Sequence, residues 1–347
     1  MKRFTIRDVA KRAGVSTGTV SAVLNDRPNV RDRTRMRVLN AIDELGYQPS
    51  PSARILRSGR NNGQVLEKGV GLLIKEMDNP FYMDIVIGAR DFLREAGCAT
   101  FVCTSDGDYE KEGNLINSIR NRFFQGVIIA PVVHEAADLS HLFMLKRATY
   151  PFVTLEEVSG LQAHSVGIDN VEASYMAVHY LIETGHKKIA HIAGPAYTQH
   201  TRDRIQGVER AFSQSSLIFS DDVIVPAGAH FEDGYRAGIY LFNEREEANR
   251  PTAVTCFNDL VAMGVLRALA ELGLDVPGDV SVIGFDDIQA AAYLSMPLTT
   301  VKVPKREMGQ RAAELLVQQM EKPEGGSTKR VRLNAELIIR GSTRPLA

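Results

Sequence analysis

Twenty residues near the N-terminus, Thr5 to Leu24, constrain this chain more than any other stretch, because they read as two short helices joined by one tight turn. Ile6, Val9, Ala10 and Ala13 recur at i, i+3, i+4 and i+7, a single apolar stripe of a helix. Thr5 stands where an N-cap hydroxyl belongs. Ala10 is small enough for a second helix to cross closely. Gly14 supplies a left-handed turn that a side chain resists, and Val15 plugs the corner. Ser16 caps the next helix, with Val20, Val23 and Leu24 on its inner face and Thr17, Gly18, Ser21 and Ala22 outside. An ordinary αα-corner inside a core has the same spacing as a helix-turn-helix that enters a DNA groove. The rest of the chain has to choose between them.

Charge makes the first choice. Residues 1–60 carry 13 Lys and Arg against 5 Asp and Glu, a local charge of +8, although the whole chain has a net charge of −1. The remainder therefore holds 28 basic and 37 acidic residues, or −9. A basic head on an acidic body is the electrostatic footprint of a nucleic-acid-binding module joined to something else. A third amphipathic helix is expected from Arg31 to Leu45, with Met36, Val38, Leu39, Ile42 and Leu45 as its apolar positions. Gly46 and Pro49 end it. Ser50 and Pro51 then open a helix of about two turns ending at Arg57, too short to be stable alone in water. Ser58 to Gln64 reads as a linker.

From Gly69 the pattern changes. Short β-rich runs at Gly69–Ile74, Thr100–Cys103, Gly126–Ala130, Phe152–Leu155, Ser165–Ile168, Lys188–Ala193, Thr252–Phe257 and Val280–Phe285 alternate with amphipathic stretches. The helical stretches are Tyr82–Ala96, Glu110–Phe123, Val171–Thr184, Arg202–Phe212, Leu260–Leu272 and Lys305–Met320. Strand and helix in alternation imply parallel sheets with right-handed crossovers. The expected architecture is an all-α head followed by an α/β core of two doubly wound lobes. Ligands of such sheets sit at the carboxyl ends of strands.

Several motifs, in one order, resemble the lactose/galactose-repressor (LacI-type) family of bacterial transcription regulators. In the head they are Thr5-Ile-Arg-Asp-Val-Ala10, Ala13-Gly-Val-Ser16, Thr19-Val-Ser21 and Leu45-Gly-Tyr-Gln-Pro49. In the body they are Asp78-Asn-Pro-Phe-Tyr82, Glu183-Thr-Gly-His-Lys-Lys-Ile189, Asn258-Asp259, Val276 to Asp287 and Leu298-Thr-Thr-Val301. The resemblance implies a DNA-binding head at 1–49, a hinge helix and linker at 50–64, and an effector-binding and dimerising core at 65–347 like periplasmic binding proteins. The expected lobes are 65–168 with 304–321, and 169–303 with 322–347. It further implies a homodimer on palindromic operator DNA, one head per half-site.

On that footing the second helix presents Thr17, Gly18, Thr19, Ser21 and Ala22 to the major groove. Gly18 and Ala22 stand where relatives often carry a longer polar or basic residue, and neither can make a bidentate base contact. Ser16, Thr19, Ser21, Asn25 and Arg31 are expected at the DNA backbone, and Thr5 is a further DNA-binding candidate. Leu56 aligns with the family's minor-groove wedge, beside Ala53, Arg54 and Arg57. For the effector the resemblance points to Arg204, Asp286 and Asn258, with Phe81 and Tyr82 as aromatic walls and Asp106, Asp169 and Phe231 as further candidates. A sugar or sugar derivative is the expected effector, a nucleobase or nucleoside the alternative.

Two other function classes fare worse. No GxSxG elbow, P-loop or strand-borne GxGxxG is present, and the eight histidines show no metal-ligand spacing. Neither enzyme activity nor a cofactor or metal is therefore expected. Cys98, Cys103 and Cys256 are odd in number and widely spaced, which suits buried thiols in a reducing compartment. A solute-binding protein serving a transporter would suit the core alone. It would need export, and neither a signal peptide nor a spanning segment is visible, so a cytoplasmic location is expected.

Overall fold

The computed structural model describes residues 5–24, 30–45, 68–120, 124–133, 138–322 and 327–346. They form two units, divided at Lys68 and Gly69. Asn25, Ala53, Arg54, Leu56 and Arg57, with the whole expected hinge, lie outside the described residues.

The first unit contains α1 (Ile6–Ala13), α2 (Thr17–Leu24) and α3 (Asp32–Leu45). Val9, Ala10, Ala13, Val20, Val23, Val38 and Ala41 are its buried core, with Ile6, Val15 and Leu24 packed against them. Gly14 ends α1 at φ 61°, the left-handed conformation that its lack of Cβ permits. Arg37, on α3, donates to the carbonyls of Ala13 and, at 3.2 Å, Gly14, which locks the turn from below. Ser16 caps α2, its Oγ accepting from Thr19 N–H at 3.1 Å. Thr5 works the other way round: its N–H and its hydroxyl both donate to Asp8, each at 2.7 Å.

Two expected core positions of α3 are corrected. Met36 is 58% and Leu39 45% exposed. At 100° per residue they lie about 160° and about 100° around the helix from Val38, whereas Ala41, Ile42 and Leu45 fall within about 60° of it. The helix can turn only one of these faces to α1 and α2, and the small Ala41 permits closer approach.

The second unit holds two six-stranded sheets. The first has the order β11-β5-β4-β3-β1-β2, from β1 (Lys68–Ile74), β2 (Cys98–Thr104), β3 (Phe124–Ile129), β4 (Phe152–Thr154), β5 (His164–Ile168) and β11 (Arg330–Leu333). The second has the order β12-β10-β9-β8-β6-β7, from β6 (Ile189–Ala193), β7 (Ile224–Pro226), β8 (Ala253–Cys256), β9 (Ser281–Asp286), β10 (Thr299–Lys302) and β12 (Glu336–Ile338). β12 runs antiparallel to β10, while β3, β4, β5 and β11 pair in parallel, as do β6, β8, β9 and β10. The helices are α4 (Pro80–Glu95), α5 (Tyr109–Arg120), α6 (Ser140–Arg147), α7 (Asn170–Glu183), α8 (Gln199–Ser213), α9 (Phe231–Ile239), α10 (Asp259–Glu271) and α11 (Lys305–Glu321).

The chain passes between lobes after β5, after β10 and after β11. α11 returns to the first lobe, packing on α4, β3, β4 and β5. The last passage differs from the expectation, which placed 322–347 in the second lobe. Arg330–Leu333 instead pairs in parallel with Ser165–Ile168, so the crossing lies between Leu333 and Glu336. Arg-Val-Arg-Leu is short and charged, and only the open edge at β5 makes it a strand. Two close helix crossings, α4 with α11 and α9 with α10, fix the layers. A Cβ on Gly309 would come within 2.0 Å of Ile85 O, one on Gly88 within 2.0 Å of Arg306 O, and one on Gly234 within 2.0 Å of Val261 O. Among the described residues no helix is long and apolar enough to cross a membrane.

Candidate effector site

The carboxyl ends of both sheets face one cleft of about 820 Å³ between the lobes of the second unit. That size suits a small molecule largely enclosed by protein. Lobe one supplies Lys75 after β1, Glu156 after β4 and the first turn of α4. Lobe two supplies the first turns of α7 and α8, Asn258 after β8 and Asp286 at the end of β9.

Arg204 is the best-anchored group in the cleft. It is 6% exposed, and its Nε donates to Asn170 Oδ1 at 3.1 Å while a terminal nitrogen donates to Phe257 O. Its guanidinium carbon lies 3.5 Å from the Phe285 ring centroid and 4.6 Å from that of Phe257. Ring faces attract a cation held this closely. Burial lowers its pKa to about 10, with Asp286 pulling the other way, so it stays charged at neutral pH. Two of its five N–H donors are spent on the protein, and the fork still has donors for a ligand.

Asp286 is 5% exposed and lines the same cleft. Its carboxylate accepts no hydrogen bond from a described residue. Burial pushes its pKa up to about 6, against the pull of Arg204 and then Lys305. It is an acceptor without a donor, which costs free energy until something supplies one.

Asn258 has local work. Its Oδ1 caps α10 by accepting from Val261 N–H at 2.8 Å, and its Nδ2 donates to Ala229 O at 2.8 Å. One N–H and one lone pair are left for the cleft. Asp169 likewise caps α7, accepting from Glu172 N–H at 3.0 Å, and it too lines the cleft. Phe81 and buried Tyr82 meet edge to face, ring centroids 5.2 Å apart, and both line it. They are placed by Asn79, whose Oδ1 accepts from Phe81 N–H at 3.1 Å, and by Pro80 in the first turn of α4.

Two expected residues stand outside the cleft lining. Asp106 sits in a turn at φ 52°, its side chain 60% exposed, and its carboxylate takes the Thr104 hydroxyl at 2.8 Å and the Lys111 ammonium. Its neighbour Gly107 reaches the cleft instead. Phe231 is 45% exposed at the open end of α9, and Ala229 lines the cleft in its place.

A polar chain that the sequence does not announce spans the lobes. Glu156 accepts from Lys75 Nζ at 2.9 Å, and its other oxygen lies 3.1 Å from His200 Nε2 on α8. Burial works against both members of the Lys75–Glu156 pair, yet each holds its partner charged: Lys75 is raised and Glu156 lowered. Burial brings the His200 pKa down to about 4, Glu156 opposing. The imidazole is therefore neutral near pH 7 and lies beside the carboxylate. Beside this chain, Glu76 and His230 face each other across the lobes at 3.7 Å. The available signal was position: a charged residue directly after an apolar strand, and a histidine four residues before Arg204 on one helix.

Comparison with known proteins places this geometry. Residues 5–50 match the profile of "Bacterial regulatory proteins, lacI family", and residues 178–343 that of a "Periplasmic binding protein-like domain". The HTH-type transcriptional repressor PurR of Vibrio vulnificus is 32% identical over 345 residues, 99% of each chain. The chain belongs to the lacI family. This lacI-family chain is a DNA-binding transcriptional regulator, and α1 to α3 lie within the stretch that matches the family profile. Its fold agrees with that of the transcriptional regulator CelR in complex with cellobiose, at TM-score 0.71 and 31% identity over 98% of this chain and 100% of that one. It agrees also with the lac repressor dimer bound to operator and the anti-inducer ONPF, at TM-score 0.70 and 25% identity over 99% of this chain and 100% of the repressor.

In the head, Thr5, Ser16, Thr17, Gly18 and Arg31 are exposed, and Thr19, Ser21 and Ala22 are half-buried. The outer face of α2 is thus small and polar.

Proposed function

We propose that this chain represses transcription as a homodimer on a two-fold symmetric operator, and that a sugar bound between the lobes sets its operator affinity. The observation carrying the effector half is the pairing, in one cleft, of Arg204 with donors to spare and Asp286 with no donor. Sugar hydroxyls both donate and accept, so one molecule satisfies both groups, and its apolar ring face suits Phe81. Asn258, Asp169 and Tyr82 complete the contacts. The CelR structure with cellobiose supports this choice.

Full-length relatives named PurR favour a second reading, a purine base, which could stack on Phe81 and present mixed donors and acceptors to the same pair. On the DNA side, Thr17, Thr19 and Ser21 meet the major groove, Thr5, Ser16 and Arg31 hold phosphates, and Gly18 and Ala22 leave base reading thin. Asn25 joins the phosphate contacts, and Leu56 with Ala53, Arg54 and Arg57 supplies minor-groove contacts.

A thermal-shift panel separates the readings. Cellobiose, glucose, ribose, adenine, guanine and hypoxanthine are each added to the full chain. A ligand at a hundred times its Kd adds about 2.7 kcal/mol to stability and raises Tm. A sugar is expected to do so. A rise with a purine and none with any sugar would overturn the sugar reading and leave the cleft in place.

A further inference from the structure

Asp286 and Asp287 take φ values of 110° and 53°, a conformation that side chains with a Cβ rarely adopt. Something must hold them there. From within the second lobe, Ile288 N–H donates to Asp259 at 2.8 Å, Asp287 N–H to Thr300 Oγ1 at 3.4 Å, and Arg340 to the Asp287 carboxylate at 2.6 Å. The other hold comes from where the chain has crossed back. Val303 N–H approaches Asp286 O at 3.4 Å. Lys305, the first residue of α11 and only 5% exposed, donates its ammonium to the carbonyls of both Asp286 and Asp287, the latter at 2.8 Å.

A buried ammonium spent on two main-chain carbonyls, with no carboxylate bonded to it, is an expensive arrangement that a helix terminus does not need. What it grips is the turn that aims the Asp286 carboxylate into the cleft. α11 in turn lies against α4 backbone to backbone at Gly88 and Gly309, and α4 opens with Phe81 and Tyr82. We infer that Lys305 is a positioning residue of the effector site: it holds the left-handed Asp286–Asp287 turn from the first lobe, fixes the carboxylate, and ties it to the helix that carries the aromatic wall. The inference rests on the reading of the cleft as the effector site.

The groups facing the Asp286 carboxylate are Arg204 from α8, Lys305 from α11, Asp259 from α10 and Tyr82 from α4. Removing one of the two cations raises its titration midpoint. The test uses the full-length chain without ligand, carbon-13-labelled at aspartate, with Asp286 assigned by the loss of its signal in Asp286→Asn. In Lys305→Met the midpoint is expected to move up by at least half a pH unit. In Lys305→Gln, which keeps donors for the carbonyls but no charge, the midpoint moves equally and Tm falls less than in Lys305→Met.

A cycle with Asp286→Gly reads the grip on the backbone. Glycine adopts the φ of 110° freely, so the Tm loss caused by Lys305→Met shrinks by at least half in that background. An unmoved midpoint, a Lys305→Gln variant no better than Lys305→Met, or the same Tm loss in both backgrounds would each overturn the role. No ligand enters these measurements, so a failed sugar panel and a failed Lys305 test are distinct results.

Discussion

Arg204→Ala is expected to lower effector affinity at least a hundredfold and to abolish the effector response, while operator binding without effector stays within a few-fold. The guanidinium supplies charged hydrogen bonds worth about 1.5–3 kcal/mol each, and losing two of them accounts for a factor of that size. Truncation also deprives buried Asp286 of the cation that pulls hardest on its carboxyl, which therefore moves above its pKa of about 6 and is partly protonated near neutrality. Arg204→Lys keeps a charge but cannot reach both Asn170 Oδ1 and Phe257 O, nor lie flat between the rings of Phe257 and Phe285. It should recover less than a tenth of the lost affinity. Calorimetric titration with whichever ligand raises Tm measures this. A full response in Arg204→Ala would remove the residue from the site.

Raising salt from 50 to 200 mM should weaken operator binding by about a thousandfold, as for a protein neutralising six or more phosphates. The first 60 residues carry +8, and a dimer doubles that. Each neutralised phosphate releases condensed counterions, so affinity falls steeply as salt rises. Effector affinity should change only a few-fold over the same range, since the cleft's charges are buried and screened little. Fluorescence anisotropy with a labelled duplex checks the first expectation, and calorimetry the second. A flat salt dependence on DNA would contradict a head held chiefly by phosphates.

How much of this was legible beforehand varied with the range of the forces involved. The head was readable because a helix stripe and a left-handed glycine are local. Its error, at Met36 and Leu39, arose because an amphipathic helix with apolar residues on two faces does not announce which face the neighbours take. The eight strong strands were legible as apolar runs. β7, β10, β11 and β12 were not, because strands of three or four residues exist by virtue of the neighbour they join.

In the cleft, Asp286 ends a strand, Asn258 follows one and Arg204 stands in the second turn of a helix, positions that the topology brings together. Asp106 follows a strand too. Its turn, at φ 52°, sends the carboxylate to Lys111 instead. Backbone conformation at one residue decided that, and the residue types did not reveal it. The Lys75–Glu156–His200 chain was invisible for a different reason: its members come from two lobes and are paired only by tertiary structure.

On the proposed function, occupancy of the cleft in residues 69–347 governs DNA binding by the helices in residues 5–45. Operator affinity measured by anisotropy, with and without a ligand that saturates the cleft by its own thermal shift, tests this directly. A change of tenfold or more is expected in the intact chain, about 1.4 kcal/mol of coupling, together with its loss in Arg204→Ala. An operator affinity unmoved at saturating ligand would contradict the account.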